Sequence, residues 1–288
     1  MNVLILGVTG LIGSTLARYL AQDKQMQVFG STRKSEFNAG LVGLENDHIY
    51  KNINIEDIDS LVAMLEKSMP SIVINCAGIT KHLMESNNPI AVLPINSIFP
   101  HRLGKLCGLM GIRLIQISSD CVFSGATGSY TEESIADALD LYGRSKAFGE
   151  IANQCNCITL RTSTIGHEIE TRHGLLEWFL HQKSICSGFG KAIFSGLTSF
   201  ELAKVIKNFV IPNQAIYGLY NIAAEPISKY DLLCLIANVY HKDVMIVKND
   251  EFVIDRSLIP EKFFKSTGYK APSWINMISD MYNARPNV

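Results

Sequence analysis

In the stretch DLYGRSKAFGE, residues 140–150, Tyr142 and Lys146 stand four positions apart. With residues 142–153 helical, the two side chains fall on one face a turn apart, so an ammonium reaches a phenol without help from distant segments. A free phenol, with a pKa of about 10, exchanges its proton poorly at neutral pH. A nearby cation favours the phenolate and draws that pKa toward the working range, which makes the tyrosine a general acid or base. The spacing alone is a common accident. It gains meaning beside a glycine-rich turn at the start of the chain, the strand end NCAG at 75–78 and the serine pair of ISSD at 117–120.

The glycine-rich turn is GVTGLIG, with Gly7, Gly10 and Gly13 between an apolar run and an amphipathic segment. At a strand-to-helix junction such a turn holds a pyrophosphate on backbone N–H groups. Gly7 permits the tight turn, Gly10 the approach of backbone to phosphate, and Gly13 the close packing of helix on strand. Thr9, Leu11 and Ile12 belong to the same turn and count with it as cofactor contacts. The second strand ends VFGSTRKSEF, with Ser31, Thr32, Arg33 and Lys34 where a carboxylate would bind the adenosine ribose hydroxyls of NAD. Cations there suit a 2′-phosphate and predict a preference for NADP(H) over NAD(H).

These residues need a scaffold that brings strand ends together. Short β-branched runs (2–6, 27–31, 71–75, 113–118) alternate with amphipathic helical segments (11–22, 56–68, 89–110), the pattern of βαβ units on a parallel sheet covered on both faces. The expected fold class is α/β, a doubly wound parallel sheet of the Rossmann type over residues 1–165, in which NCAG and ISSD end at the carboxyl edge. A further strand is predicted at CITLRTSTIG, 157–166, and a helix around GLLEWFLHQ. Residues 166–288 mix strands, turns and helices, as expected of a smaller substrate-binding region partly interleaved with the first. Trp178 lies in that helix; packing on the core is the favoured reading, stacking on a base or sugar the sharper one.

Composition narrows the partners. The 288 residues carry 26 basic and 27 acidic side chains, scattered, for a net charge of −1, which offers no footprint for nucleic acid or an anionic membrane. Small molecules or copies of the chain itself are the expected partners. No apolar run approaches the roughly 20 residues of a membrane span, and the opening MNVLILGVTG does not read as a signal peptide. Seven cysteines without an export signal favour reduced thiols in a cytoplasm. No ligand set for a metal emerges, since Cys155 and Cys157 lack a second pair and His167 and His173, six apart, read as surface loop histidines.

Taken together, GVTGLIG, NCAG, Asn96 in the long fourth helix, ISSDCVFSG and YGRSK resemble the short-chain dehydrogenase/reductases, in their extended sugar-nucleotide branch. Ser119-Asp120, Val122-Phe123, Tyr142/Lys146 and LRTS at 160–163 look most like the dTDP-4-dehydrorhamnose reductase family. The resemblance implies a catalytic triad of Ser119, Tyr142 and Lys146: Ser119 hydrogen-bonds the substrate carbonyl, Tyr142 delivers the proton, and Lys146 binds the nicotinamide ribose. It also implies cofactor contacts at Asn54, Ile55, Cys76, Ala77, Gly78, Thr80, Ser118, Arg161, Thr162 and Ser163, substrate contacts at Ser119, Asp120, Cys121, Val122 and Trp178, and a homodimer. Lys81 and His82 read either as substrate contacts or as exposed charges. The implied activity is NADPH-dependent reduction of the C4 ketone of a nucleotide-linked 4-keto-6-deoxy sugar, for surface polysaccharide. Cys121 and Thr164 replace aromatic residues usual in this family, and the late motif survives only as VIDRSLIPEKF. A 4,6-dehydratase would need a carboxylate where Cys121 stands. A sugar-nucleotide epimerase shares the same triad, and a non-catalytic regulatory subunit, as in the β subunit of methionine adenosyltransferase, is the alternative of a different kind.

Overall fold

The apolar runs become strands of one sheet in the computed structural model, which describes residues 1–81 and 83–286. β1 (Asn2–Leu6) passes through the glycine turn into α1 (Leu11–Leu20), and β2 (Gln27–Ser31) is followed by the short β3 (Ile49–Tyr50), which periodicity does not reveal. Asp57 caps α2 (Ile58–Ser68) by accepting the Asp59 N–H, and Met69 at φ 40° ends the helix ahead of β4 (Ile72–Asn75). The helix predicted over 89–110 is α3 (Pro89–Leu93), a π turn at Pro94–Ile98, and α4 (Phe99–Leu109). Pro94 has no N–H for a regular ladder, and the wider turn carries Asn96. Then come β5 (Arg113–Ile117), α5 (Leu141–Phe148) and β6 (Cys157–Arg161).

The single strand expected at 157–166 divides. After Arg161 the chain leaves the main sheet and forms β7 (Thr164–Ile165). The Leu197 N–H donates to the Ser163 carbonyl at 2.9 Å, and a side chain at Gly196 would lie 2.0 Å from that carbonyl, so two chain segments meet there without room for a Cβ. Beyond are α6 (Leu175–Leu180), β8 (Ile185–Phe194), β9 (Leu197–Thr198), α7 (Ser199–Val205), β10 (Gly218–Asn221), β11 (Ile227–Ser228), α8 (Lys229–Val239), β12 (Met245–Asp255), α9 (Glu261–Thr267) and α10 (Trp274–Asn283).

The main sheet has the order β10-β6-β5-β4-β1-β2-β3, and its paired strands are parallel throughout. The fold is therefore an α/β doubly wound, Rossmann-like sheet whose order reverses at β1, where the carboxyl ends of β1 and β4 open a crevice. β1 alternates between its two faces: Val3 and Ile5 join α1, α7, α8 and α10 in one core, Leu4 and Leu6 join α2 and α4 in the other. β8, β11 and β12 make a separate three-stranded sheet, while β10 crosses back to extend the main one. Among the described residues no helix is long and apolar enough to cross a membrane.

Candidate active site

Asp140 starts α5 by accepting the Gly143 N–H at 2.7 Å, which places Tyr142 in the first turn. The helix stops at Phe148, short of the 142–153 expected, because Gly149 packs on the π turn: a Cβ there would lie 2.0 Å from the Asn96 carbonyl. Tyr142 and Lys146 both fall inside the shorter helix. Past Gly149 the chain turns Glu150 inward to form a bidentate, buried ion pair with Arg161, both contacts at 2.7 Å. Glu150 also accepts from Ser118 Oγ at 2.7 Å. The side chains of Ser118 and Arg161, expected at a cofactor, are thus committed to joining β5, α5 and β6.

Ser119 caps a tight turn, Asp120–Val122, its Oγ accepting from the Cys121 N–H at 3.1 Å. α5 lies directly on this turn: a Cβ at Gly143 would come within 2.1 Å of the Cys121 carbonyl, so glycine beside the tyrosine lets the phenol reach Ser119. Ser119 Oγ donates to Asp120 Oδ1 at 3.2 Å and faces the Tyr142 phenol. Burial raises the phenol above its usual range, and Cys121 with the Asp120 and Asp140 carboxylates adds to this, while Ser119 pulls the other way. This corrects the expectation that Lys146 lowers the phenol, which is held protonated, a donor at neutral pH. Lys146 donates from Nζ to the Ile117 carbonyl at 2.7 Å. Its own pKa is lowered to about 8 by burial, against the pull of Glu150.

Asn96 fastens the two halves of this site. Buried on the π turn, it accepts the Ile79 N–H and donates to the Ile79 carbonyl, each at 2.9 Å, and donates to Ser145 Oγ at 3.1 Å. Ser145 Oγ in turn donates to the Tyr142 carbonyl at 2.8 Å. The loop after β4 and the tyrosine helix are therefore held to one side chain.

The cleft beside them is bare backbone. Gly7, at φ 82°, and Val8 donate their N–H groups to the Ser31 carbonyl at 3.1 Å. A Cβ on Gly13 would stand 2.2 Å from the Gly7 carbonyl, and one on Gly7 would stand 3.1 Å from the Ala77 backbone. α1 begins at Gly10 without a side-chain cap, leaving its first N–H groups for a ligand. Thr9, Leu11 and Ile12 are half-buried along this turn, and Cys76, Ala77 and Gly78 face it from the end of β4. Burial lifts the Cys76 thiol to about 12, so it lines the cleft as an inert group. Thr80 and Asn54 are exposed and Ile55 is buried under the adenine edge expected for a cofactor. Thr162 is buried and Ser163 half-buried where the chain leaves β6. Ser31 and Thr32 are buried; Arg33 is exposed, and Lys34 pairs with Glu170 at 2.7 Å. A glycine turn packed tightly on β4 and α1, with the first N–H groups of an uncapped helix left free, fits a dinucleotide.

On the other side lie the residues expected to face a substrate. Asp120 is buried, its carboxyl raised by burial and held down in part by Arg256. Arg256 donates to the Phe123 carbonyl at 2.8 Å and approaches Cys121 Sγ at 3.6 Å. Lys81 places Nζ 5.6 Å from the Tyr142 ring centroid, while His82 lies outside the described residues. Lys229, the first residue of α8, is lowered by burial and feels the charge of Asp120. It also lines a cavity of about 300 Å³ with Trp178, Phe189, His173, Leu175 and Leu233. Trp178 is 39% exposed there while its neighbours Leu176 and Phe179 are buried, so the core reading gives way to a cavity wall. Val122 goes the opposite way: expected against substrate, it is fully buried with Phe123, Tyr130 and Leu258. His167 is likewise no surface histidine, since it bridges Glu177 at 2.8 Å and Tyr240 at 2.9 Å. Lys229 escaped the sequence reading because nothing local marks it; Arg256 sits inside VIDRSLIPEKF, where a signal existed.

The family sequence model described as the RmlD substrate binding domain matches residues 1–182. Over 260 residues the chain is 25% identical to methionine adenosyltransferase 2 subunit beta of Rattus norvegicus, covering 83% of this chain and 72% of that one. It is 32% identical over 155 residues to the probable low-salt glycan biosynthesis reductase Agl14 of Haloferax volcanii, 53% of this chain and 48% of the relative. In three dimensions it is similar to a dTDP-4-dehydrorhamnose reductase from Bacillus anthracis in complex with NADP, with a TM-score of 0.78, 20% identity and 98% of each chain covered.

Proposed function

The chain belongs to the RmlD substrate binding domain family, with an extended short-chain dehydrogenase/reductase fold, and from that premise we propose that it is an NADPH-dependent reductase acting on the C4 ketone of a nucleotide-linked 4-keto-6-deoxy sugar. The observation that carries this is the meeting of the Ser119 and Tyr142 hydroxyls beside the glycine cradle, with the phenol held protonated. Gly7, Gly10, Gly13 and the α1 N-terminus would hold the dinucleotide's pyrophosphate, Ala77 and Gly78 would line its nicotinamide end, and Arg33 and Lys34 would meet a 2′-phosphate. NADPH held there would supply the hydride that the ketone carbon accepts. Ser119 orients the ketone oxygen, and Tyr142 Oη gives that oxygen its proton, leaving an alcohol. Lys146, charged at neutral pH, steadies the nicotinamide ribose.

Residues from 166 onward supply most of the substrate region. Trp178 and Phe189 offer apolar faces to a base or sugar, and Lys81, Lys229 and Arg256 supply positive charge for a diphosphate. The implied setting is deoxysugar synthesis for surface polysaccharide. The likeness to methionine adenosyltransferase 2 subunit beta over most of the chain supports a second reading, a cofactor-responsive regulatory subunit. Purified protein incubated with deuterium-labelled NADPH and a panel of 4-keto-6-deoxy nucleotide sugars separates them. Loss of NADPH absorbance with one deuterium retained in a product two hydrogens heavier than the ketone is the expected result. An isomer of unchanged mass without net cofactor oxidation means epimerisation, and no turnover across the panel leaves the regulatory reading.

A further inference from the structure

The segment between β7 and α6 begins beside the start of α1 and reaches the residues that follow β2. At its start, a Cβ on Gly166 would lie 2.1 Å from Ser199 Oγ and 3.5 Å from Leu11 of α1. At its far side, Glu170 Oε1 meets Lys34 Nζ at 2.7 Å. Between these points the strap is built in: His167 bridges Glu177 and Tyr240, Ile169 packs on the main core, and Glu168 accepts the Gly174 N–H at 2.8 Å. The Lys34 end is anchored too, its N–H donating to Thr32 Oγ1 and its carbonyl accepting from Asn52. The contact thus joins two fixed backbones at the edge where the adenosine ribose is expected, while Arg33 makes no ion pair among the described residues.

We infer that Glu170 is a specificity-determining residue for the cofactor, a carboxylate that competes with a 2′-phosphate for Lys34. This rests on the dinucleotide reading proposed above. A 2′-phosphate carries up to two negative charges and forms charge-assisted bonds with ammonium and guanidinium groups. To use Lys34 it must displace the carboxylate, and it then sits beside a like charge. NAD has only hydroxyls there and needs no ammonium. The side chains of Lys34 and Glu170 are 50% and 24% exposed, so the pair is weak enough to exchange with a ligand. Glu170 therefore lowers NADP(H) affinity and leaves NAD(H) nearly untouched, narrowing the preference that Arg33 and Lys34 alone would set.

The test is titration calorimetry on the full chain with NADP⁺, NAD⁺, 2′,5′-ADP and 5′-ADP. Glu170→Gln is expected to tighten NADP⁺ and 2′,5′-ADP about five- to tenfold and to move NAD⁺ and 5′-ADP less than about twofold. Glu170→Lys, which adds a cation at the same place, should tighten the phosphorylated pair further. Unchanged NADP⁺ binding in both variants, or equal tightening of NADP⁺ and NAD⁺, overturns the inference while leaving the dinucleotide reading intact. A wild-type chain that binds none of the four nucleotides sinks both.

Discussion

At the residue scale the site is a set of polar groups whose proton affinities burial has pushed apart. The phenol of Tyr142 is raised and the ammonium of Lys146 lowered, each because the charged form is poorly solvated. Tyr142→Phe keeps the ring and removes the proton donor, so turnover should fall by about 10² to 10⁴ while the NADPH Kd from fluorescence titration stays within about threefold. Lys146 gives a pH signature of definite sign. Below about 8 it carries the charge proposed to hold the ribose, and above that pH it is progressively neutral. NADPH affinity should therefore be level near pH 7, above the second ionisation of the 2′-phosphate at about 6, and weaken steadily between 8 and 10. The same titration on Lys146→Met should be weaker throughout and flat over that range; a wild-type profile that is also flat would show that the lowered pKa does not govern binding.

At the scale of elements, two buried polar clasps hold the catalytic pieces in register. Asn96 binds the loop after β4 to α5, and the Glu150–Arg161 pair binds the end of α5 to β6. An isolated charge left in that second place is expensive, because Arg161 also stacks 5.0 Å from the Phe123 ring in a water-poor setting. Arg161→Met strands the Glu150 carboxylate and should cost about 3 to 5 kcal/mol of stability in urea denaturation. Replacing both partners, Glu150→Gln with Arg161→Met, should recover a large part of that loss; a single substitution that costs nothing would mean the pair is solvated after all. The tyrosine helix was legible from its spacing, but its end was not. Gly149 reads as an ordinary glycine until the Asn96 carbonyl is seen lying against it.

At the scale of the molecule, the two halves of the chain share one sheet and one core. β10, from the second half, pairs with β6, and α7 packs on α1 with Ser199 Oγ 3.0 Å from Thr15 Oγ1. The larger core includes Leu202, Ile236, Met277 and Ile278 along with Val3 and Ile5. The full chain should therefore melt in one cooperative transition. Residues 1–182 alone, which leave β6 without its outer neighbour and one face of the sheet uncovered, should lack such a transition by calorimetry and expose apolar surface to a hydrophobic dye. A stable, cooperatively melting fragment would show that the first half folds by itself.

Sequence by itself determined the parts whose physics is local. Runs with a period of two or of 3.6, glycines forced by a turn, and a tyrosine and lysine one helical turn apart are properties of neighbouring residues, and they sufficed for the sheet, the cleft and the Tyr142/Lys146 pair. What required the tertiary structure were outcomes set by partners far away in the chain. Val122 and Trp178 exchanged their expected places because burial depends on what packs opposite, Phe123 and Leu258 in one case and an open cavity in the other. Lys229 reached the site from the start of α8, far from the LRTS stretch and from the late motif VIDRSLIPEKF, and Glu170 reached Lys34 from a loop no periodicity describes. The direction of the Tyr142 shift turned on desolvation, and desolvation is a property of the assembled fold: spacing could place a cation near the phenol, but only packing decided that loss of water would outweigh it.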